Sequence, residues 1–406
     1  MSRTIFTNVN LLDGECAARK GSTIAVVGDR IVAVNDPDLF AKPEDRLVDI
    51  GGRTIMPGMV AAHFHAPYRN GGGPDSSVGF TSLPQLSYLA LSNAQTALRC
   101  GYTSAVSAAT LYDIDAALAG SIDETLVVGP RFIPCSRFLV PSNENMDTPF
   151  RHFCTGPQAF VEAAEREIAG GAKIIKLIVS AGHGEVQGID RNMTQDEVLA
   201  LVDVARAHGV RTRAHVAVPE LNLICARAGV DILDHVDGLG EECIEAIVEH
   251  DCLVLPSLFL PYICRSGQGK ADYCQRFDPA DYDHMLEMLP RAMAAGVKII
   301  PGDDYGVWDL PHGDYARELV WFVEEAGFSP LEVINCVTRN GGALTGIADL
   351  GTIAAGKLAD FLVVDGDPSV DIRILLNREH IQAVVKGGKL AVGQMPEQAC
   401  RVPALA

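Results

Sequence analysis

Two histidines stand two residues apart in Ala62-His63-Phe64-His65, at the end of an apolar run that starts near Ile55. Residues two apart in an extended strand project to the same side, so the pair can offer two imidazoles to one metal ion. Further ligand-type groups lie in or at the ends of later apolar runs: Lys176 within Ala172–Ser180, His215 in Ala214-His215-Val216, His235 in Leu233-Asp234-His235-Val236, and an aspartate pair in Pro301-Gly302-Asp303-Asp304. Four neutral imidazoles suit zinc or a similar divalent ion. Two ions close together repel one another unless an anion bridges them. A lysine amine kept neutral by an apolar strand can react with carbon dioxide to give a carbamate, an anionic ligand with two oxygens. Lys176 can then bridge two divalent metal ions, Zn2+ being the first candidate, with His63 and His65 on one and His215 and His235 on the other. A water between two such ions becomes hydroxide near neutral pH. The aspartate of the last run can hold that hydroxide, take its proton and hand it to a leaving group, while a metal polarises the scissile carbonyl.

These groups are far apart in sequence, so the scaffold must bring distant strand ends to one place. From residue 58 to about 346, apolar runs alternate with helix-like stretches. Eight runs can be counted: Ile55–His65, Thr103–Ala109, Arg131–Phe138, Ala172–Ser180, Arg211–Val216, Asp231–Val236, Cys252–Ser257 and Val297–Asp304. Helical patterns between them include Pro157–Ala169 and Thr194–His208, the second opened by the capping box Thr194-Gln-Asp-Glu197. Strands alternating with helices imply parallel pairing. Eight of them over this length predict a (β/α)8 TIM barrel, whose chemistry sits at the C-terminal ends of its strands. A doubly wound open sheet is the rival, but no G-x-G-x-x-G follows a first strand. The two ends of the chain have another texture. Residues 1–57 read as short strands, with a hairpin across Gly28-Asp29, and residues 347–406 contain the strand Ala359–Asp365 and a hairpin at Gly387-Gly388. We expect 1–57 and 347–406 to form one small β-sandwich domain, with the barrel of 58–346 inserted between them.

Composition narrows the partners. The chain has 406 residues, 48% of them hydrophobic and 21% charged, with a net charge of −19. That acidity argues against nucleic acid as a partner. No stretch reaches the roughly 18 apolar residues of a membrane span, and the N-terminus has no secretory h-region. The 11 cysteines are odd in number and form no C-x-x-C. Cys100, Cys135, Cys225 and Cys252 lie in apolar runs and read as reduced core thiols. A cytoplasmic protein acting on a small molecule is expected.

Pro57-Gly-Met-Val-Ala-Ala-His63-Phe-His65 resembles the P-G-x-I-D-x-H-x-H of the amidohydrolase superfamily, with Ala61 in place of the usual aspartate. Gly170–Gly182 resembles the strand-four segment of its prolidase-like, metal-dependent branch, in which the lysine matching Lys176 is carboxylated. The segments around His215 and His235 match strands five and six, and Leu350–Asp365 resembles the C-terminal signature of the small domain. The family's G-T-D-x-G maps onto Gly302–Gly306, which makes Asp304 the strand-eight ligand and catalytic residue, with Asp303 in the threonine's place. The resemblance implies a hydrolase of carbon–nitrogen bonds and a homo-oligomer. Prolidase-like relatives carry a substrate-binding histidine in a G-G-H-G stretch after strand three. Pro141–Asp147 has none here, whereas His183 lies in the loop after strand four. His183, Tyr68, Arg69 and Tyr305 are therefore the candidates for substrate contact.

The leading expectation is a binuclear hydrolase of an amide bond, in a non-standard peptide, N-acyl amino acid or aryl amide. A lactone, ester or carbamate is the alternative bond. A mononuclear deaminase of the same superfamily is a second reading, with Glu220 as proton carrier. A non-enzymatic barrel that binds without catalysis is a third, and it would be expected to have lost ligands.

Overall fold

The apolar run Ile55–His65 is cut at Gly58, and its two halves join different sheets. The computed structural model describes residues 3–70, 82–181, 189–269, 274–275 and 277–395. Its N-terminal strands are β1 (Arg3–Leu11), β2 (Arg19–Val27), β3 (Arg30–Val34), β4 (Arg46–Asp49) and β5 (Thr54–Pro57). β2 and β3 form the expected antiparallel hairpin across Gly28-Asp29. β1 changes partner along its length, pairing in parallel with β4 through Thr4–Thr7 and with β5 through Asn10 and Leu11.

Eleven strands follow: β6 (Met59–Phe64), β7 (Tyr102–Ser107), β8 (Arg131–Ile133), β9 (Cys135–Pro141), β10 (Met146–Asp147), β11 (Arg151–Cys154), β12 (Ile174–Ile178), β13 (Arg211–Val216), β14 (Ile232–His235), β15 (Leu253–Leu255) and β16 (Lys298–Ile299). β6, β7 and β8 pair in parallel, as do β9, β12, β13, β14, β15 and β16. β8 and β9 are one predicted strand interrupted at Pro134, which has no N–H to give to a ladder. Beyond β16, Tyr305 bridges Phe64 of β6 in parallel. Helices predicted between strands are present, including Pro157–Ala169 and Gln195–Ala207. The second is capped by Thr194, whose side chain accepts from the Glu197 N–H.

The parallel strands bury two separate sets of apolar side chains. The larger lies between strands and helices and includes Phe160, Leu201, Leu289 and Phe322. The smaller takes Val60 and Ala62 from β6, Val106 from β7, Cys135 from β9, Ile174 from β12, Ile232 from β14, Leu253 and Leu255 from β15, and Ile300. β13 contributes nothing to this second set.

The C-terminal strands β17 (Phe361–Val364), β18 (Ile381–Lys386) and β19 (Lys389–Gly393) return to the first sheet. β17 lies antiparallel to β5, with Phe361 opposite Pro57, and gives the order β19-β18-β17-β5-β1-β2-β3 with β4 on β1. All eight of these strands are hydrogen-bonded into one sheet, over a core that includes Phe6, Ile24, Ile55 and Phe361.

Two features were not expected from sequence. The stretch after β9 doubles back as β10 and β11, and β11 pairs in parallel with β9. Cys264 and Cys274 form a disulfide, whereas Cys100, Cys135, Cys225 and Cys252 are buried free thiols as read. Among the described residues no helix is long and apolar enough to cross a membrane.

Candidate metal centre

His63 and His65 close β6, and both aim Nε2 at the same oxygen of Asp304, at 2.7 and 3.1 Å. The ligand atoms of these three residues lie within 4.8 Å of one another. Alternation explains the pair: Phe64 between them packs the other way, against Phe132 and His312. Burial pushes the His63 imidazole down to about 3 and lowers that of His65, so both are neutral and have lone pairs to give. Burial opposes the charge on Asp304, but His63 and His65 hold it well below the usual carboxylate range. The Nδ1 of His65 is buried with no hydrogen-bond partner among the described residues. Neutral imidazoles converging on an ionised carboxylate are a donor set that fits a divalent ion.

Asp304, not Asp303, reaches the histidines. Asp303 is fully buried, and its two oxygens accept the N–H groups of Leu260 and Asp304, each at 2.8 Å. The loop carrying both is held from behind by Glu318 in the helix Ala316–Glu324. Its carboxyl group accepts from the N–H of Gly302 at 2.9 Å and of Asp303 at 3.3 Å. Gly302 has no room for a side chain, since a Cβ there would lie 2.8 Å from the Cβ of Ala62.

The other predicted ligands lie on the same side. The rings of His215 and His235 are 4.3 Å apart, and that of His235 is 5.6 Å from His63. Lys176 is buried on β12 and donates to Asp234, while Lys173 is exposed. Burial lowers the Lys176 ammonium and Asp234 opposes that shift. Asp234 itself is held below the usual range against its burial by Arg213, Lys176 and His63. Strict alternation would send His235 away from the side that Asp234 faces. A left-handed backbone at His235 (φ 73°), followed by another at Val236 (φ 52°), breaks that alternation. Such conformations in residues other than glycine, and above all in a β-branched one, cost energy and concentrate at functional sites.

The candidates for substrate contact separate. Tyr68 is buried and stacks on His65, with ring centroids 4.2 Å apart and planes at 3°. Tyr305 is buried, its hydroxyl 3.2 Å from Glu318 and 3.3 Å from the Tyr315 carbonyl. Arg69 is exposed, and His183 lies outside the described residues. Glu220 is exposed near the start of the helix Pro219–Ala228.

A family model described as the amidohydrolase family matches residues 54–391. The chain belongs to the amidohydrolase family. This amidohydrolase is an enzyme, a hydrolase, and its parallel strands and helices form the α/β fold of its structural neighbours. It is 27% identical over 373 residues to an ochratoxinase of Aspergillus niger, covering 84% of this chain and 76% of that protein. It is 21% identical over 412 residues to an imidazolonepropionase of Deinococcus radiodurans, covering 94% of this chain and 93% of the relative. A crystal structure of a Xaa-Pro dipeptidase with methionine bound in its active site superposes with a TM-score of 0.81 at 24% identity, over 96% of this chain and 99% of the other.

Sequence reasoning missed Arg213, Asp234 and Glu318. Arg213 stands two residues before His215, so alternation could have placed it on the same face. Asp234 is adjacent to a predicted ligand. Glu318 comes from a helix, where no spacing relates it to the strand-end loop it holds.

Proposed function

We propose that this amidohydrolase cleaves an amide bond of a small molecule with the help of two divalent ions, Zn2+ in the first instance. The convergence of His63 and His65 on Asp304, with Lys176, His215 and His235 buried on the same side, carries this reading. His63, His65 and Asp304 would hold one ion. His215, His235 and Lys176 as its carbamate would hold the second. When bound, the ions supply an acidified water as nucleophile and polarise the scissile carbonyl. Asp304 would orient the attacking water, take its proton and return it to the departing nitrogen. The buried, neutral imidazoles keep their lone pairs for the ions rather than for protons. Tyr68 fixes the plane of the His65 ring by stacking on it. Relatives named as an ochratoxinase and an Xaa-Pro dipeptidase support an amide among the bonds considered, with N-acyl amino acids, non-standard peptides and aryl amides as the first substrates to try.

The parallel strands β6 to β9 and β12 to β16, with β8 and β9 counted as one, are read as a closed (β/α)8 barrel spanning 58–346. The break at Pro134 lies within one strand, and the bridge between Phe64 and Tyr305 is the closing contact. The sheet of 1–57 and 347–406 is read as the small β-sandwich domain. A cytoplasmic homo-oligomer is the expected form.

One observation favours a single ion: among the described residues only His63, His65 and Asp304 group closely enough to share one, and Lys176 is paired with Asp234. That is the arrangement of the mononuclear deaminase reading, but Glu220 is exposed and poorly placed to carry its protons. Metal content per chain, measured with a screen of N-acyl amino acids, dipeptides, aryl amides and lactones, tests the proposal. Two ions and amide cleavage support it. One ion with ammonia released from an aminated ring would replace it with the deaminase.

A further inference from the structure

Beneath the histidines β13 adds no apolar side chain to the inner set, and a buried polar cluster of Lys176, Arg213 and Asp234 lies there instead. On β13 the inward position holds Arg213, which has no solvent exposure. Its guanidinium forks onto Asp234, with Nη2 at 2.8 Å from Oδ1 and Nε at 2.8 Å from Oδ2. Nη1 reaches across the interior to the carbonyl of Ala62 at 2.8 Å and that of Ser107 at 3.3 Å. Ala62 immediately precedes His63, Asp234 immediately precedes His235, and Arg213 stands two residues before His215. One side chain therefore ties together the backbone or neighbouring residue behind three of the four histidines. Through the other contact of Asp234 it also fixes the direction of the Lys176 amine.

Stability alone gives a weak reason to keep this group. A buried ion pair is often no more stabilising than well-packed apolar residues of the same volume. Geometry gives a stronger one. The guanidinium is a rigid, planar fork that can satisfy a carboxylate and two carbonyls at once, whereas an ammonium is a point donor on a flexible stem. We infer that Arg213 is a positioning residue, a crossbar that sets the separation between the His63/His65 pair and the His215/His235 pair. This inference rests on the two-ion reading above.

The test uses Mn2+ alone as the probe on the metal-stripped full chain. Calorimetry gives stoichiometry and affinity, and electron paramagnetic resonance reports whether two Mn2+ ions are close enough to couple. Wild type is expected to bind two ions with a coupled spectrum. R213K is expected to bind the first with unchanged affinity, to bind the second at least tenfold more weakly, and to lose the coupled signal. If R213K does not fold, R213M/D234M replaces the whole pair with apolar groups, and its fold is checked by circular dichroism. The same loss of the second ion is expected. Two coupled ions with wild-type affinity in either variant would overturn the crossbar while leaving the two-ion reading intact. Wild type taking up only one ion would overturn both.

Discussion

Replacing Glu318 with glutamine should make the fold less sensitive to alkaline pH. Glu318 is buried, and its burial, with Asp303 beside it, pushes its carboxyl up to about 8 from an ordinary value of 4.5. A proton there also completes the hydrogen bonding: the carboxyl can donate to the Tyr305 hydroxyl, which then donates to the Tyr315 carbonyl. The folded protein thus holds a proton that the unfolded chain releases above its ordinary carboxylate range. The resulting stability is fully present below about pH 4.5 and is lost as pH rises toward 8. The slope in that window approaches 2.303RT, about 1.4 kcal/mol per pH unit, so on the order of 3 kcal/mol is lost between about pH 5 and 8. Glutamine cannot ionise and keeps an acceptor for the Gly302 N–H. E318Q should lie within about 1 kcal/mol of wild type at low pH, where a hydrogen bond is exchanged rather than lost. It should equal or exceed wild type at pH 8 to 9. Urea unfolding of both proteins at matched metal content across this range measures the difference. Two parallel stability curves would refute the reasoning, because they would mean that Glu318 titrates alike in the folded and unfolded chains.

D304N should keep the protein folded and lower kcat by about a thousandfold, since on the proposed mechanism it removes both the proton acceptor and a charged ligand; steady-state kinetics on the first amide substrate found would show this. On the proposed two-ion site, K176A should lower metal content from two ions to one and abolish turnover, with elemental analysis separating it from a variant that merely misfolds. G306A should destabilise by about 2 kcal/mol or more, because φ is +107° and a Cβ would lie 2.7 Å from His312 Nε2; its thermal midpoint gives the value. With His63 pushed down to about 3 by burial, protons should compete for it only near that pH. Because burial lowers His65 as well, uptake of the first ion, followed by titration, should weaken only at a pH well below the value near 6 at which an exposed histidine site weakens.

What was legible in the sequence was local. The spacing of His63 and His65 fixes a common face, and the capping box at Thr194 marks a helix start, because both depend only on neighbours along the chain. Asp304 could be told from Asp303 only weakly by pattern. In the structure they differ because backbone N–H groups of Leu260 and Asp304 occupy the Asp303 carboxylate. The division at Gly58 was invisible, since the apolar run continues through it and only tertiary pairing assigns its halves to two sheets. The short β10 and β11 have too few residues to show a period. Arg213 could be placed on the face of His215 by alternation, but its partners lie on β6, β7 and β14, which no spacing along the chain relates to it.

The pairing of β5 with β17 has a consequence for how the protein is made. Phe361 cannot reach Pro57 until about 300 further residues have been synthesised. At roughly 5–20 residues per second, the ribosome leaves the β5 edge open for about 15–60 seconds. During that time Thr54-Ile55-Met56-Pro57 presents an uncapped, apolar strand edge, the kind that recruits other nascent chains. Yield in a heterologous host should therefore depend on translation speed and on holdase chaperones more than on the final stability of the fold. A circular permutant that places β17–β19 directly before β1 would let this sheet close before the first parallel strand is made.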